Sequence, residues 1–231
     1  MARGRRGTLL RRRRARVGLG FAAALSALAG MTDAIGLLVA GDFVSFMSGN
    51  TTRFAVALGS SEWVRAAELG AIVATFVFGN AAGVVFAALT GRRHGVLLGL
   101  VAVLLSIAAL LSPFRMASTL LLVFSMGFLN VAVERVEGRA LGVTYVTGAL
   151  SRFGRGIGQW LLGHGNDGWR LELVPWLGML SGALVGVIGA LWLGPSAIWM
   201  SAVVAAFVAV VSALIPARWR EHYFVSPRRG S

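Results

Sequence analysis

Cysteine is absent from all 231 residues, which excludes disulfides, thiolate metal sites and cysteine nucleophiles. Lysine is absent as well, so all 22 basic side chains are arginine. Acids are scarce, nine against those 22 cations, and the formal net charge is +13. The three histidines (His94, His164 and His222) fall in expected loops or tails, and no HExxH or GxSxG is present. His164 with Asp167 and Glu172 has no specific metal-ligand spacing and reads as solvated loop. Ser45, Ser48 and Ser151 have no nearby histidine or lysine base to make a nucleophile. Without a P-loop, ATP-driven chemistry needs a partner. The expectation is a non-enzyme with no cofactor and no metal.

Charge is also thin relative to apolar content. Charged residues make up 13% of the chain, about half of the ~25% usual in soluble domains. Hydrophobic residues reach 57% and the mean hydropathy is +0.77. They are grouped in long runs, which indicates membrane spans rather than one oversized core. Continuous runs instead of alternation exclude a β-barrel, so the fold class is an all-α polytopic bundle in the lipid bilayer.

Eight apolar segments are expected: 17–40, 43–60, 64–90, 94–112, 115–133, 141–163, 173–194 and 196–215. Turn and charge signals separate them, such as Gly41-Asp42, Ser60-Ser61-Glu62, Ser112-Pro113 and Gly194-Pro195. Residues 1–16 form a polybasic tail with arginines at 3, 5, 6, 11–14 and 16, and 217–231 form a second basic tail. The first tail lacks aromatics or a base-reading pattern, so nucleic acid is not the expected partner. Anionic lipid headgroups are, with both tails on the cytoplasmic face of a bacterial inner membrane. The run from Val17 to Ala40 also resembles a signal peptide, with Ala27-Leu28-Ala29 as a cleavage site, but its length favours an uncleaved first span.

A polar insertion occurs twice. Gly30 to Arg53 places Asp33, Asn50 and Arg53 among apolar residues, and Gly127 to Arg152 repeats the order with Asn130, Thr147-Gly148 and Arg152. The offset is 97 between Asp33 and Asn130, 99 between Gly49 and Gly148, and 103 between Gly91 and Gly194. The chain thus reads as two four-segment repeats, 17–112 and 113–216. If the second and sixth segments cross, there are eight crossings; if both turn back, there are six and the halves are inverted. The positive-inside rule leans to six and segment length to eight; both give an even number.

Charge within hydrocarbon costs roughly 2.5–3.5 kcal/mol per residue on insertion scales and usually marks a working site. Asp33, about 10 Å inside its segment at 1.5 Å per residue, is either a coupling site or a buried structural partner. Arg53 reads as snorkelling or pairing, and Arg152, with Arg155 and Gln159 along the same segment, as a counter-charge for an anion. Gly49 and Gly148 are candidate helix breaks, and Asn50, Thr51, Asn130 and Thr147 complete the candidate site for a small molecule or ion. Asn80 reads as interhelical glue. Gly79-xxx-Gly83, Gly154-xxx-Gly158, Gly178-xxx-Gly182 and Gly182-xxx-Gly186 offer close helix packing, within one subunit or in a homodimer.

Gly30-Met31-Thr32-Asp33-Ala34 with Phe46-Met47-Ser48-Gly49-Asn50-Thr51 resembles the G-x-x-D-A and M-T/S-G-N signature of YoaK-like bacterial membrane proteins. Gly127-Phe128-Leu129-Asn130 and Val146-Thr147-Gly148-Ala149-Leu150 resemble that family's second-half stretch. The resemblance implies a multi-pass inner-membrane protein of undetermined activity. Arg53 and the polybasic start depart from the pattern. On the residues, a secondary transporter or permease is the first reading and a non-transporting scaffold or assembly partner the second.

Overall fold

The computed structural model describes residues 2–91, 93–131, 146–164 and 167–214, with side chains described from Val17 onward. Eight α-helices make up most of it: α1 Ala2–Ala40, α2 Met47–Gly59, α3 Trp63–Leu89, α4 His94–Leu110, α5 Arg115–Asn130, α6 Val146–Leu161, α7 Leu173–Leu193 and α8 Ile198–Leu214. Short 3-10 turns, Asp167–Glu172 and Gly194–Ala197, precede α7 and α8. The described residues contain no strand. α1 begins at Ala2 instead of Val17, so its backbone carries the helix through the arginine-rich stretch.

Three stretches are long and apolar enough to cross a membrane: Val17–Ala40, Trp63–Leu89 and Gly168–Leu214, the last holding both α7 and α8. His94–Leu110 and Arg115–Asn130 are shorter apolar helices. At 13 residues, α2 is only about 20 Å long. Its hydroxyls and amide also make it more polar than α3, α4 and α5.

Glycine decides which helices meet. A Cβ at Gly182 would strike the Ala27 carbonyl, one at Gly178 would come within 2.6 Å of the Ala23 carbonyl, and one at Gly186 within 2.5 Å of that of Met31. Gly30 answers from the other side against the Met179 carbonyl. These contacts rise together in number, so α1 and α7 run parallel. A second seam joins α3 and α5, where Gly79 meets Phe124, Gly83 meets Phe128 and Gly127 meets the backbone of Phe76. It is parallel too. Close backbone approach of this kind replaces the hydrophobic drive that lipid cannot supply. Three of the four GxxxG motifs are thus used within the subunit, whereas Gly154 and Gly158 face open space.

The centre is aliphatic, with Leu25, Leu28 and Ile35 of α1, Leu98 and Leu105 of α4, and Leu122 and Met126 of α5 all fully buried. α4 packs on α8, with Gly95 beside Ala209 and Ala213, so the start of α4 meets the end of α8 and the two helices are antiparallel. At the other end of α8, the Thr32 hydroxyl donates to the Leu28 carbonyl at 2.8 Å and lies 3.0 Å from Ser201 Oγ.

Candidate functional site

α1 stops at Gly41, whose φ of +79° is the left-handed conformation that terminates a helix without a Cβ penalty. Residues 41–46 then run non-helically before α2 begins at Met47. Irregular backbone among apolar helices must have its polar groups satisfied by protein. The polar residues of the first insertion do this. Asp33, 5% exposed, accepts the backbone N–H groups of Val44 at 2.7 Å and Ser45 at 2.8 Å on one carboxylate oxygen. Asn50, fully buried, donates from the other side to the Phe43 carbonyl at 2.7 Å. Gly36 gives Val44 room, since a Cβ there would lie 2.6 Å from its side chain. Gly49 leaves space for the Phe46 ring, which stands edge-on to Phe43.

The helix break in this half lies ahead of Gly49, at 41–46; Gly49 itself is in the first turn of α2. Thr51 is exposed and its hydroxyl donates to the Met47 carbonyl at 2.8 Å. Asn50 Oδ1 is a buried acceptor with no hydrogen-bond partner among the described residues.

Asp42, which composition alone did not single out, holds more of the charge than Asp33. Its side chain is 2% exposed and pairs with Arg53 at 3.0 Å and with both terminal nitrogens of Arg65. Arg65 also reaches Glu68 at 2.7 Å, and Arg115 links to Glu68 at 3.4 Å. Two of these arginines cap the end of α1: Arg53 donates to the Gly41 carbonyl and Arg115 to the Ala40 carbonyl, each at 2.8 Å. Cations at carbonyls left open by a helix end are doubly favourable, through hydrogen bonds and through the helix dipole. Arg53 therefore pairs with Asp42, not Asp33. The signal for this cluster lay in Gly41-Asp42 and in the arginines that open α3 and α5.

The second half is arranged differently. Asn130 donates to Asn80 at 3.4 Å, and Asn80 donates to the Phe76 carbonyl at 3.0 Å, so Asn130 joins α5 to α3. Arg152 on α6 pairs through Nε with Glu172 at 2.7 Å. One turn on, Gly156 lies against the Trp169 ring, and Phe153 packs on the same ring with centroids 5.2 Å apart. Thr147 is exposed and Gly148 is in the first turn of α6. Arg155 is exposed and donates to Ser151 Oγ at 2.9 Å. The stretch before α6, with Arg135 and Arg139, and the tail 217–231 lie outside the described residues. Among the bonds described, Asp33 and Asn50 hold the 41–46 loop, Asn130 joins α5 to α3 and Arg152 pairs with Glu172: they organise three separate places. No group of three acids or histidines among the described residues is placed to hold a metal.

The profile of one family, described as a protein of unknown function (DUF1275), matches residues 21–211. The chain belongs to this family. A relative from Rhizobium meliloti (strain 1021), a UPF0700 transmembrane protein, is 46% identical over 222 residues, covering 96% of this chain and 98% of that protein. No solved structure matches. Family membership and the apolar helices together make this a multi-pass membrane protein.

Proposed function

We propose that the chain is a permease for a small polar solute, built from two inverted halves that each contain three crossings and one half-helix. The observation that carries this is the single cluster joining the end of α1 to the starts of α3 and α5. Had α2 crossed the bilayer, Arg65 would stand ~30 Å from Asp42, the thickness of the hydrocarbon core. Instead the two are in contact. Likewise the antiparallel α4 and α8 call for an even number of crossings between them, which α5 and α7 supply if α6 turns back.

The two glycine seams support a common origin for the halves. Gly79, Gly83 and Phe76 correspond to Gly182, Gly186 and Met179 at an offset of 103. Their contacts Phe124, Phe128 and Gly127 correspond to Ala27, Met31 and Gly30 at an offset of 97. Among the described residues, Arg93, Arg152, Arg155 and Arg170 belong to the end opposite the Asp42 cluster, whose cations are offset by carboxylates. The positive-inside rule then makes that opposite end cytoplasmic, in a bacterial inner membrane, with both tails inside and the N-terminal arginines on anionic headgroups.

Half-helices at membrane depth are how many transporters build a solute site. α2 exposes Ser48, Thr51 and Thr52, and α6 exposes Thr147, Ser151, Arg155 and Gln159. Meanwhile Asp33, Asp42 and Glu172 are engaged by amides or arginines. Exposed hydroxyls and an arginine whose described bonds stay within their own helix suit a neutral or anionic solute better than a metal cation. Uptake into proteoliposomes across a panel of such solutes, with and without a pH gradient, tests this. Asp33→Asn keeps an acceptor for Val44 and Ser45 but removes the charge; if Asp33 couples protons, gradient-driven uptake disappears while downhill flux remains. Absence of flux for every solute rejects the permease. A non-transporting scaffold, dimeric through the open Gly154 and Gly158 face, is the second reading, favoured by the inward pairing of Asn80 with Asn130.

A further inference from the structure

Taking the permease reading as its basis, we infer that α6 is the moving gate of the pathway and that the Arg152–Glu172 pair is its latch, while α2 is fixed. The two half-helices differ in how they are held. The approach to α2 is fastened from α1 by Asp33 on two backbone amides, from α2 itself by Asn50, and by Asp42 beneath Arg53 and Arg65. Freeing it means separating charges contributed by α1, α2 and α3. Charged hydrogen bonds are roughly twice as strong as neutral ones, and the residue equivalent to Asp33 in the second half is the neutral Asn130.

α6 leans on the 3-10 turn at 167–172 and the start of α7. Its contacts include those of Arg152, Phe153 and Gly156, which with buried Ala149 form one face about two turns long. Only Ala149 and Gly156 of its residues are buried. Thr147, Ser151, Arg155 and Gln159 already face outward, so little apolar surface is exposed when α6 swings away. With so little burial, the ion pair is a charged tie between α6 and the turn that precedes α7. Arg152 is 34% exposed, which lets water reach the pair and compete for it.

Because the chain has no native cysteine, single reporters can be placed directly. Ala149→Cys reports α6, at a site 1% exposed, and Ala57→Cys reports α2, at a site 3% exposed. Maleimide labelling of each in micelles is compared with and without Glu172→Gln. The expected result is labelling at position 149 faster by on the order of tenfold, the effect of losing one charged hydrogen bond, with position 57 unchanged. The charge swap Arg152→Glu with Glu172→Arg should return position 149 to its slow rate. Equal labelling with and without Glu172→Gln, or acceleration at both reporters, overturns the latch. Labelling reads helix release without any solute, so a latch that works in a protein with no flux rejects the permease and leaves the latch standing.

Discussion

Asp33 and Asp42 are nine residues apart and serve different ends. Asp33 substitutes for the missing helix: Val44 and Ser45 have no carbonyls of their own turn to bond, and the carboxylate supplies the acceptor. Asp33→Ala leaves two buried N–H groups unpaired, and at ~1–3 kcal/mol for each such group it should lower the melting temperature in detergent markedly. Asp33→Asn, which preserves an acceptor, should lose less. Equal melting of the two variants would show that the amide bonds contribute nothing. Asp42 instead gathers cations, because its burial beside the C-terminal carbonyls of α1 lets Arg53 serve its carboxylate and the Gly41 carbonyl together, with Arg65 on the same carboxylate. Intramembrane charge was legible in the sequence as a matter of cost. Which arginine met which acid was not, since Arg53, Arg65 and Arg115 reach one place only once the helices have packed.

Among the helices, the glycine motifs separate into used and unused. Gly182→Ala forces a Cβ into the Ala27 backbone, where neither helix can yield by rotating a side chain. Overpacking of this kind costs about 1–3 kcal/mol, and thermal unfolding should register it. The equivalent Gly79→Ala should behave alike against Phe124. Gly154→Ala meets no atom within 4 Å, and removing a glycine from a helix interior should stabilise α6 by about 0.4–1 kcal/mol. A loss of stability in Gly154→Ala would mean that another surface covers α6. Motif spacing alone gave all four GxxxG sites the same standing, because it records which residues share a helical face and not what stands opposite.

For the whole molecule, the arrangement of crossings is open to a direct test. Six crossings place Ser61, Ser112 and Ser196 on one side of the membrane and Thr90 on the other. Eight crossings put Ser61 and Ser112 opposite Ser196. Single cysteines at these four positions, labelled in intact cells with an impermeant maleimide, distinguish the two. Labelling of Ser61→Cys, Ser112→Cys and Ser196→Cys but not Thr90→Cys is expected; labelling of Thr90→Cys together with only Ser196→Cys would restore the eight-crossing arrangement.

By itself the sequence determined the solvent and the class. Long apolar runs place their backbone in lipid, where only self-satisfied helices last, and the breaks between runs set where those helices begin and end. The two polar insertions were visible for the same reason: polar residues stand out where almost every neighbour is apolar. Only the tertiary structure decided that Asp33 holds a loop, that Asp42 collects the arginines and that Arg152 is matched by Glu172. Hydropathy reports the cost of burying a charge, and that cost is the same whichever partner offsets it. The partner is chosen by the folding back of the chain, which brings Arg65 to Asp42 and Arg115 to Ala40 across 23 and 75 residues.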